Sequence, residues 1–166
     1  MAFNFLKRGK DKPSIEILAP VNGKIIPITE VPDPVFSEKM MGEGIAFIPV
    51  DGKFCSPVNG KVIQVFPTKH AIGIVADDGT EILIHIGLET VALKGEGFTT
   101  AVEVGEKVVA GQLLVDVDLD YIRKHASSIV TPMVITNSVG SEKEYVMTRE
   151  TEGSVGKTIV ITVSAT

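Results

Sequence analysis

The phrase Pro-Val-Asn-Gly-Lys occurs twice in this chain, at residues 20–24 and 57–61. Its flanks match as well: Ala19-Pro-Val-Asn-Gly-Lys-Ile is echoed 37 residues later by Ser56-Pro-Val-Asn-Gly-Lys-Val. Each copy lies between short β-branched runs, such as Ser14-Ile-Glu-Ile-Leu before the first and Ile25, Ile26 and Ile28 after it. Two copies of strand–Pro-Val-Asn-Gly-Lys–strand imply two related sheet units packed together, since a solenoid needs more repeats. Asn-Gly is a strong turn signal, so Asn22-Gly23 predicts a hairpin between the strands on either side.

The remaining punctuation agrees. Turn signals recur at Asp51-Gly52, Asn59-Gly60, Asp78-Gly79, Gly105, Gly111, Gly140, Gly153 and Gly156, with β-branched runs between them. A further short-strand phrase spans Val104 to Val117, and Thr158-Ile-Val-Ile-Thr-Val closes the chain. Helix is scarce. Asp33-Pro34 and Asp118 each look like an N-cap opening a turn or two, over 33–40 and 118–125, with His125 in a structural place at the second carboxyl end. The expected fold is an all-β antiparallel sandwich or flattened barrel, with duplicated hairpin units and one or two very short helices.

At 166 residues the chain suits one domain, read as 14–166 behind a flexible tail of 1–13. The tail carries basic residues after apolar ones, the reverse of a secretory signal, and peripheral contact with a membrane surface is its alternative reading. No apolar run is long enough to span a bilayer. A net charge of −5, no basic block and no tryptophan argue against a nucleic-acid partner. The single cysteine, Cys55, cannot form an internal disulfide and has no histidine near it in sequence, so it reads as core filler in a reducing, cytoplasmic setting.

Chemistry concentrates on two histidines. In Glu81-Ile-Leu-Ile-His85-Ile-Gly87, alternation puts Ile82, Ile84 and Ile86 on one face and Leu83 and His85 on the other. By the same rule Thr68, His70, Ile72 and Ile74 share a face. A hairpin folded about Asp78-Gly79 brings His70 and His85 close to opposite one another, give or take a residue, with rings within about 5–6 Å. Zinc binding is one use of such a pair, but glycine at position 87 removes a His-x-His third ligand. Acid–base hydrolysis is a second, but no serine or cysteine sits in a nucleophile elbow. The third is phosphoryl transfer through an imidazole nitrogen, with the other histidine donating to the phosphate oxygens. In that case Gly87 admits the donor's phosphate, and its carbonyl fixes the tautomer of His85.

The run His85-Ile-Gly-Leu-Glu-Thr-Val-Ala-Leu-Lys-Gly-Glu-Gly-Phe98, preceded by Glu81-Ile-Leu-Ile, resembles the active-site block of the glucose-family enzyme IIA of the bacterial phosphoenolpyruvate sugar phosphotransferase system. Residues 31–46, Phe66-Pro-Thr-Lys-His-Ala-Ile72, and Asp116-Val-Asp-Leu-Asp with Thr131-Pro-Met-Val-Ile-Thr-Asn resemble three further blocks of that family, so the likeness covers roughly 14–163. It implies an antiparallel β-sandwich, a stand-alone single-domain IIA, and a phosphohistidine carrier. His85 is then the residue that accepts a phosphoryl group at Nε2 from the phosphocarrier protein HPr and passes it on to a cysteine of a sugar-specific IIB domain. His70 supports onward transfer and Thr68 orients it. The resemblance also implies an apolar docking rim of Val35, Phe36, Met40, Met41, Phe66, Ile72, Leu83 and Val91, with Asp33 and Glu89 meeting basic residues of the phosphocarrier. No cofactor is implied, although zinc bridging His70 and His85 with a partner's carboxylate is compatible with the family, as are regulatory protein targets. Which sugar is carried is not written in this chain.

A lipoyl- or biotinyl-type carrier module is the rival from another class. Such a module displays one lysine in a Met-Lys-Met or similar context. Lys39 stands in Glu-Lys-Met, and the two histidines would be left without a use.

Overall fold

The computed structural model describes residues 14–165; the tail read over 1–13 lies outside the described residues. Fourteen strands are described: β1 (Ser14–Leu18), β2 (Gly23–Pro27), β3 (Glu43–Pro49), β4 (Lys53–Cys55), β5 (Gly60–Val65), β6 (Ala71–Ala76), β7 (Glu81–His85), β8 (Phe98–Thr100), β9 (Lys107–Val108), β10 (Leu113–Val117), β11 (Thr131–Ile135), β12 (Glu144–Met147), β13 (Glu152–Gly153) and β14 (Ile159–Ser164). Two short α-helices, α1 (Pro34–Ser37) and α2 (Leu119–His125), and 3-10 turns at Ile28–Glu30 and Thr90–Leu93 interrupt them. The chain folds as an open antiparallel sandwich and not a closed barrel. An eight-stranded sheet runs β9-β5-β6-β7-β11-β3-β2-β13, and two three-stranded sheets run β4-β10-β8 and β12-β14-β1.

The order of the large sheet reads the same from either end once the repeat is applied. Gly23 pairs with Pro49 as Gly60 pairs with Ala76, so β2–β3 corresponds to β5–β6. Gly153 sits opposite Gly23 as Val108 sits opposite Gly60, which makes β13 and β9 the matching edges. The strands β7 and β11 meet in the middle, with Ile84 opposite Met133. The small sheets match too: the irregularity between Leu113 and Val115 in β10 has its counterpart between Ile159 and Ile161 in β14. The two repeat phrases clasp each other through reciprocal bonds, Leu18 N–H to the Pro57 carbonyl (2.9 Å) and Cys55 N–H to the Pro20 carbonyl (2.7 Å).

The hairpin expected at Asn22-Gly23 does not form. Strand β1 pairs with β14 and β2 pairs with β3, so the phrase carries the chain from a small sheet to the large one, and Asn59-Gly60 does the same between β4 and β5. Neither glycine takes a positive φ, as a primed hairpin turn would require. Glycine is needed there for close approach: a Cβ on Gly23 or Gly60 would lie 2.2 Å from the carbonyl oxygen of Ile48 or Val75. The asparagines tie the crossings down. Asn22 Oδ1 accepts from Val155 N (2.8 Å) and Asn59 Oδ1 from Ala110 N (2.9 Å).

Between the sheets lies one large apolar core, including Ile17, Phe47, Phe54, Ile72, Ile74, Ile82, Ile84, Met133 and Ile161. A second, smaller cluster covers the opposite face of the eight-stranded sheet and contains Phe36, Ala46, Ala71, Leu83, Leu88 and Val134. Both predicted caps form: Asp33 Oδ1 accepts from Val35 N (3.0 Å) and Asp118 Oδ1 from Tyr121 N (3.1 Å). Cys55 is buried, and burial raises its thiol pKa with a smaller push from Asp51, opposed by Lys53, so its thiolate is disfavoured.

Candidate active site

The strand β7 ends at His85 because Gly87, at φ +75°, turns the chain out of extended geometry. Ile82 and Ile84 point into the core, and His85 emerges beside Leu83 on the outer face, as alternation requires. The turn at Asp78-Gly79 forms as expected, with Gly79 at φ +93° and Asp78 accepting from Thr80 N (2.9 Å). Its register sets Ala71, not His70, opposite His85.

His70 therefore reaches the site by a different route from the one alternation predicts. Ile72 and Ile74 face the core, and His70 does not share their side. It precedes the strand, where Lys69 adopts φ +63° and breaks the alternation. The two imidazoles then meet edge to face, centroids 4.8 Å apart and planes at 79°. Phe36 of α1 packs on His85 at 5.1 Å, and Phe66 packs edge-on to His70 at 5.4 Å.

Each ring is held through its Nδ1. The carbonyl of Gly87 lies 2.9 Å from His85 Nδ1, and a carbonyl only accepts, so the proton of neutral His85 is on Nδ1 and Nε2 keeps its lone pair. Thr68 Oγ1 lies 2.7 Å from His70 Nδ1. Burial, reinforced by the neighbouring His85, holds the His70 pKa down to about 4, and that ring is only 3% exposed. Burial also lowers the His85 pKa, opposed by the Gly87 carbonyl and the charge of Asp33. Both rings are thus neutral at pH 7. His125 stands apart, stacked on Tyr121 at 4.1 Å with its Nδ1 2.9 Å from the Tyr121 carbonyl, at the helix end where the sequence placed it.

The expected rim divides by exposure. Met40 (67%), Val91 (57%) and Val35 are open to solvent, and Met41 and Phe66 are half-buried. Ile72 is not part of it: at 1% exposure on the core face, it cannot touch a partner. Leu83 and Phe36 are buried too, in the small outer cluster where Phe36 forms the wall against His85. Asp33 is half-buried and occupied as the α1 cap, while Glu89, exposed at φ +59°, accepts from Ser127 Oγ (2.7 Å). Two threonines not singled out in the sequence reading complete the surroundings: Thr90 donates to the Ile86 carbonyl (2.7 Å), and Thr131 Oγ1 faces Gly87 N (3.4 Å). Neither carries a signal in the sequence: the chain between Ile86 and Thr90 is not helical, with Gly87 at φ +75° and Glu89 at φ +59°, so the Thr90 bond is a product of that irregular turn.

Among the described residues, no three His, Cys, Asp or Glu side chains converge as a metal set. With both Nδ1 atoms engaged, His70 and His85 offer two nitrogen donors, short of the four that a tetrahedral zinc site takes. No described helix is long and apolar enough to cross a membrane.

Comparison with known proteins gives a consistent result. Residues 15–140 match the family model for the phosphoenolpyruvate-dependent sugar phosphotransferase system, EIIA 1. The glucose-specific EIICBA component of the phosphotransferase system from Staphylococcus saprophyticus is 57% identical over 123 residues, 74% of this chain. This chain spans 18% of the length of that relative. Among solved structures, the glucose permease IIA from Mycoplasma capricolum superposes with a TM-score of 0.82 at 41% identity, covering 90% of this chain and 96% of that one. A sandwich carrying two neutral, Nδ1-anchored histidines in an apolar collar, matched over most of its length, places this chain in the EIIA 1 family of the phosphoenolpyruvate-dependent sugar phosphotransferase system.

Proposed function

We propose that residues 14–166 form one IIA domain that carries a phosphoryl group on His85, taken from the phosphohistidine of the phosphocarrier HPr and given to a cysteine of a IIB domain at the cytoplasmic face. The observation that carries this reading is the Gly87 carbonyl on His85 Nδ1, which leaves the Nε2 lone pair bare beside a second neutral histidine. In acceptance, that lone pair attacks phosphorus as the donor's N–P bond breaks and its electron pair returns to the donor nitrogen. The proton stays on Nδ1, donated to the Gly87 carbonyl, which stabilises the positive charge that spreads over the ring. In delivery, a thiolate attacks phosphorus and the electron pair of the N–P bond returns to Nε2, so His85 ends as it began. Protons are not exchanged with solvent at either step.

His70 has the complementary polarity when Thr68 donates its hydroxyl proton to Nδ1, for the ring proton then sits on Nε2. From there it donates to the transferring phosphoryl group, whose charge is spread over three oxygens in a loose transition state. The apolar wall of Phe36 and Phe66 excludes water and strengthens that donation. Exposed Met40, Val91 and Val35 supply adaptable contact area for two successive partners. The test is incubation with phosphoenolpyruvate, enzyme I and HPr, followed by analysis for an acid-labile, alkali-stable adduct. Wild type labels, His85→Ala does not, and His70→Ala labels but passes little to IIB. Unlabelled wild type with competent partners refutes the proposal.

A further inference from the structure

We propose that Thr90 and Thr131 are positioning residues that fix the tautomer of His85 by clamping the Ile86–Gly87 peptide. The tautomer depends on where the Gly87 carbonyl points, and that carbonyl belongs to a glycine at φ +75°, a residue with little intrinsic preference between backbone regions. Something outside the glycine must therefore hold its amide plane. Thr90 Oγ1 donates to the Ile86 carbonyl at 2.7 Å, and Gly87 N–H donates to Thr131 Oγ1 at 3.4 Å. These are the two ends of one peptide unit. The proton of Thr131 is committed to the Ile129 carbonyl at 3.0 Å, so its oxygen presents a lone pair to Gly87.

Neither threonine is reached by solvent, both being 0% exposed, so water does not substitute for a lost hydroxyl. The neighbouring peptides are fixed as well: Ile86 N–H donates to the His70 carbonyl (2.7 Å) and Leu88 N–H to the Ser128 carbonyl (2.9 Å). The Thr90 methyl lies 2.6 Å from where a Cβ on residue 87 would stand, which closes that side of the glycine to any side chain. The Gly87 carbonyl shares its peptide unit with Leu88 N–H, so with the preceding unit clamped by the two threonines and Leu88 N–H held on Ser128, that carbonyl is aimed at His85 Nδ1.

Valine replaces threonine with nearly the same shape and no hydroxyl, so Thr90→Val and Thr131→Val remove the clamp while keeping the packing. The direct readout is the tautomer of His85, from long-range proton–nitrogen spectra of protein labelled with 15N in its histidines, at about pH 8 where imidazoles are neutral. Wild type shows one form, protonated at Nδ1; each valine variant shows a mixture, and Thr90→Ser and Thr131→Ser restore the single form. Labelling of His85 slows about fivefold in the valine variants, the effect of one hydrogen bond, and recovers in the serine variants. If one valine variant does not fold, the other carries the test. Folded valine variants with the wild-type tautomer overturn the proposal, as does wild type protonated at Nε2. The rate readout alone rests on the phosphoryl-carrier reading: a wild type that never labels sinks that reading, while the spectra still decide the clamp.

Discussion

The hairpins β2–β3 and β5–β6 are built on the same repeat and occupy mirrored places in one sheet, yet they contribute opposite things to the site. The strand pairings match, residue for residue, where Ile25 faces Phe47 and Val62 faces Ile74. They diverge at the far ends. Between β5 and β6 a short connection from Phe66 to His70 delivers Thr68 and a histidine. Between β2 and β3 a longer one from Ile28 to Gly42 delivers α1, the Phe36 wall and the exposed Met40. Counting back from the matched pairs, the position of His70 is held by Glu43, which is paired with Lys39 at 3.3 Å. The same correspondence puts Val134, fully buried, where the other half has His85. One half supplies both histidines and Phe66, and the connection of the other folds across to set Phe36 against His85. Duplication gave a scaffold, and the connections made it a site.

Mutation at matched positions tests that division. His85→Ala, which abolishes labelling, is the largest effect. Next is His70→Gln against Glu43→Gln: onward transfer to IIB falls roughly hundredfold in the first, in line with losing one transition-state donor, and stays within about twofold of wild type in the second. Equal losses at the two positions would erase the distinction between the halves. Phe36→Ala removes the wall contributed across the sheet, costing about 3 kcal/mol in denaturant unfolding and slowing transfer at the same time.

Acid pH sharpens the comparison from the side of stability. The folded-state pKa of His70 is depressed to about 4 against about 6.5 for the unfolded chain, so the unfolded state binds the proton more tightly. Its neutral form costs nothing above pH 6.5, and stability drops as pH falls from there toward 4. Over that window the loss from this ring is on the order of 3 kcal/mol, from the size of the shift. Unfolding titrations of His70→Gln therefore show a flatter fall than wild type between those pH values. The smallest effect belongs to the rim: Met40→Ala raises the KM for HPr about threefold, without changing stability, because the side chain is already in solvent.

Much of this was legible in the sequence, and the failures have a common origin. The repeat announced the paired sheet units, the aspartates announced both caps, and alternation placed His85 on the outer face. These are local properties. Asn22-Gly23 was misread as a hairpin because local turn chemistry does not reveal which sheet receives the next strand. Gly23 and Gly60 serve a neighbour's backbone instead. The face of His70 was misassigned because alternation holds only within a strand, and Lys69 at φ +63° lies outside it. Ile72 was carried into the rim by the family likeness and belongs to the core, as its own alternation with Ile74 already indicated. Thr131 lies 44 residues from Gly87, so a bond between them is a product of tertiary structure.

The central claim is that Nε2 of His85 forms the bond to phosphorus while Nδ1 stays protonated on the Gly87 carbonyl. Protein labelled with 15N in its histidines, phosphorylated by phosphoenolpyruvate, enzyme I and HPr, reports this through the phosphorus–nitrogen coupling seen in its imidazole spectrum. Coupling to Nε2 of His85, with a proton retained on Nδ1, is the predicted result. A phosphoryl group on Nδ1, or on His70, would contradict the account.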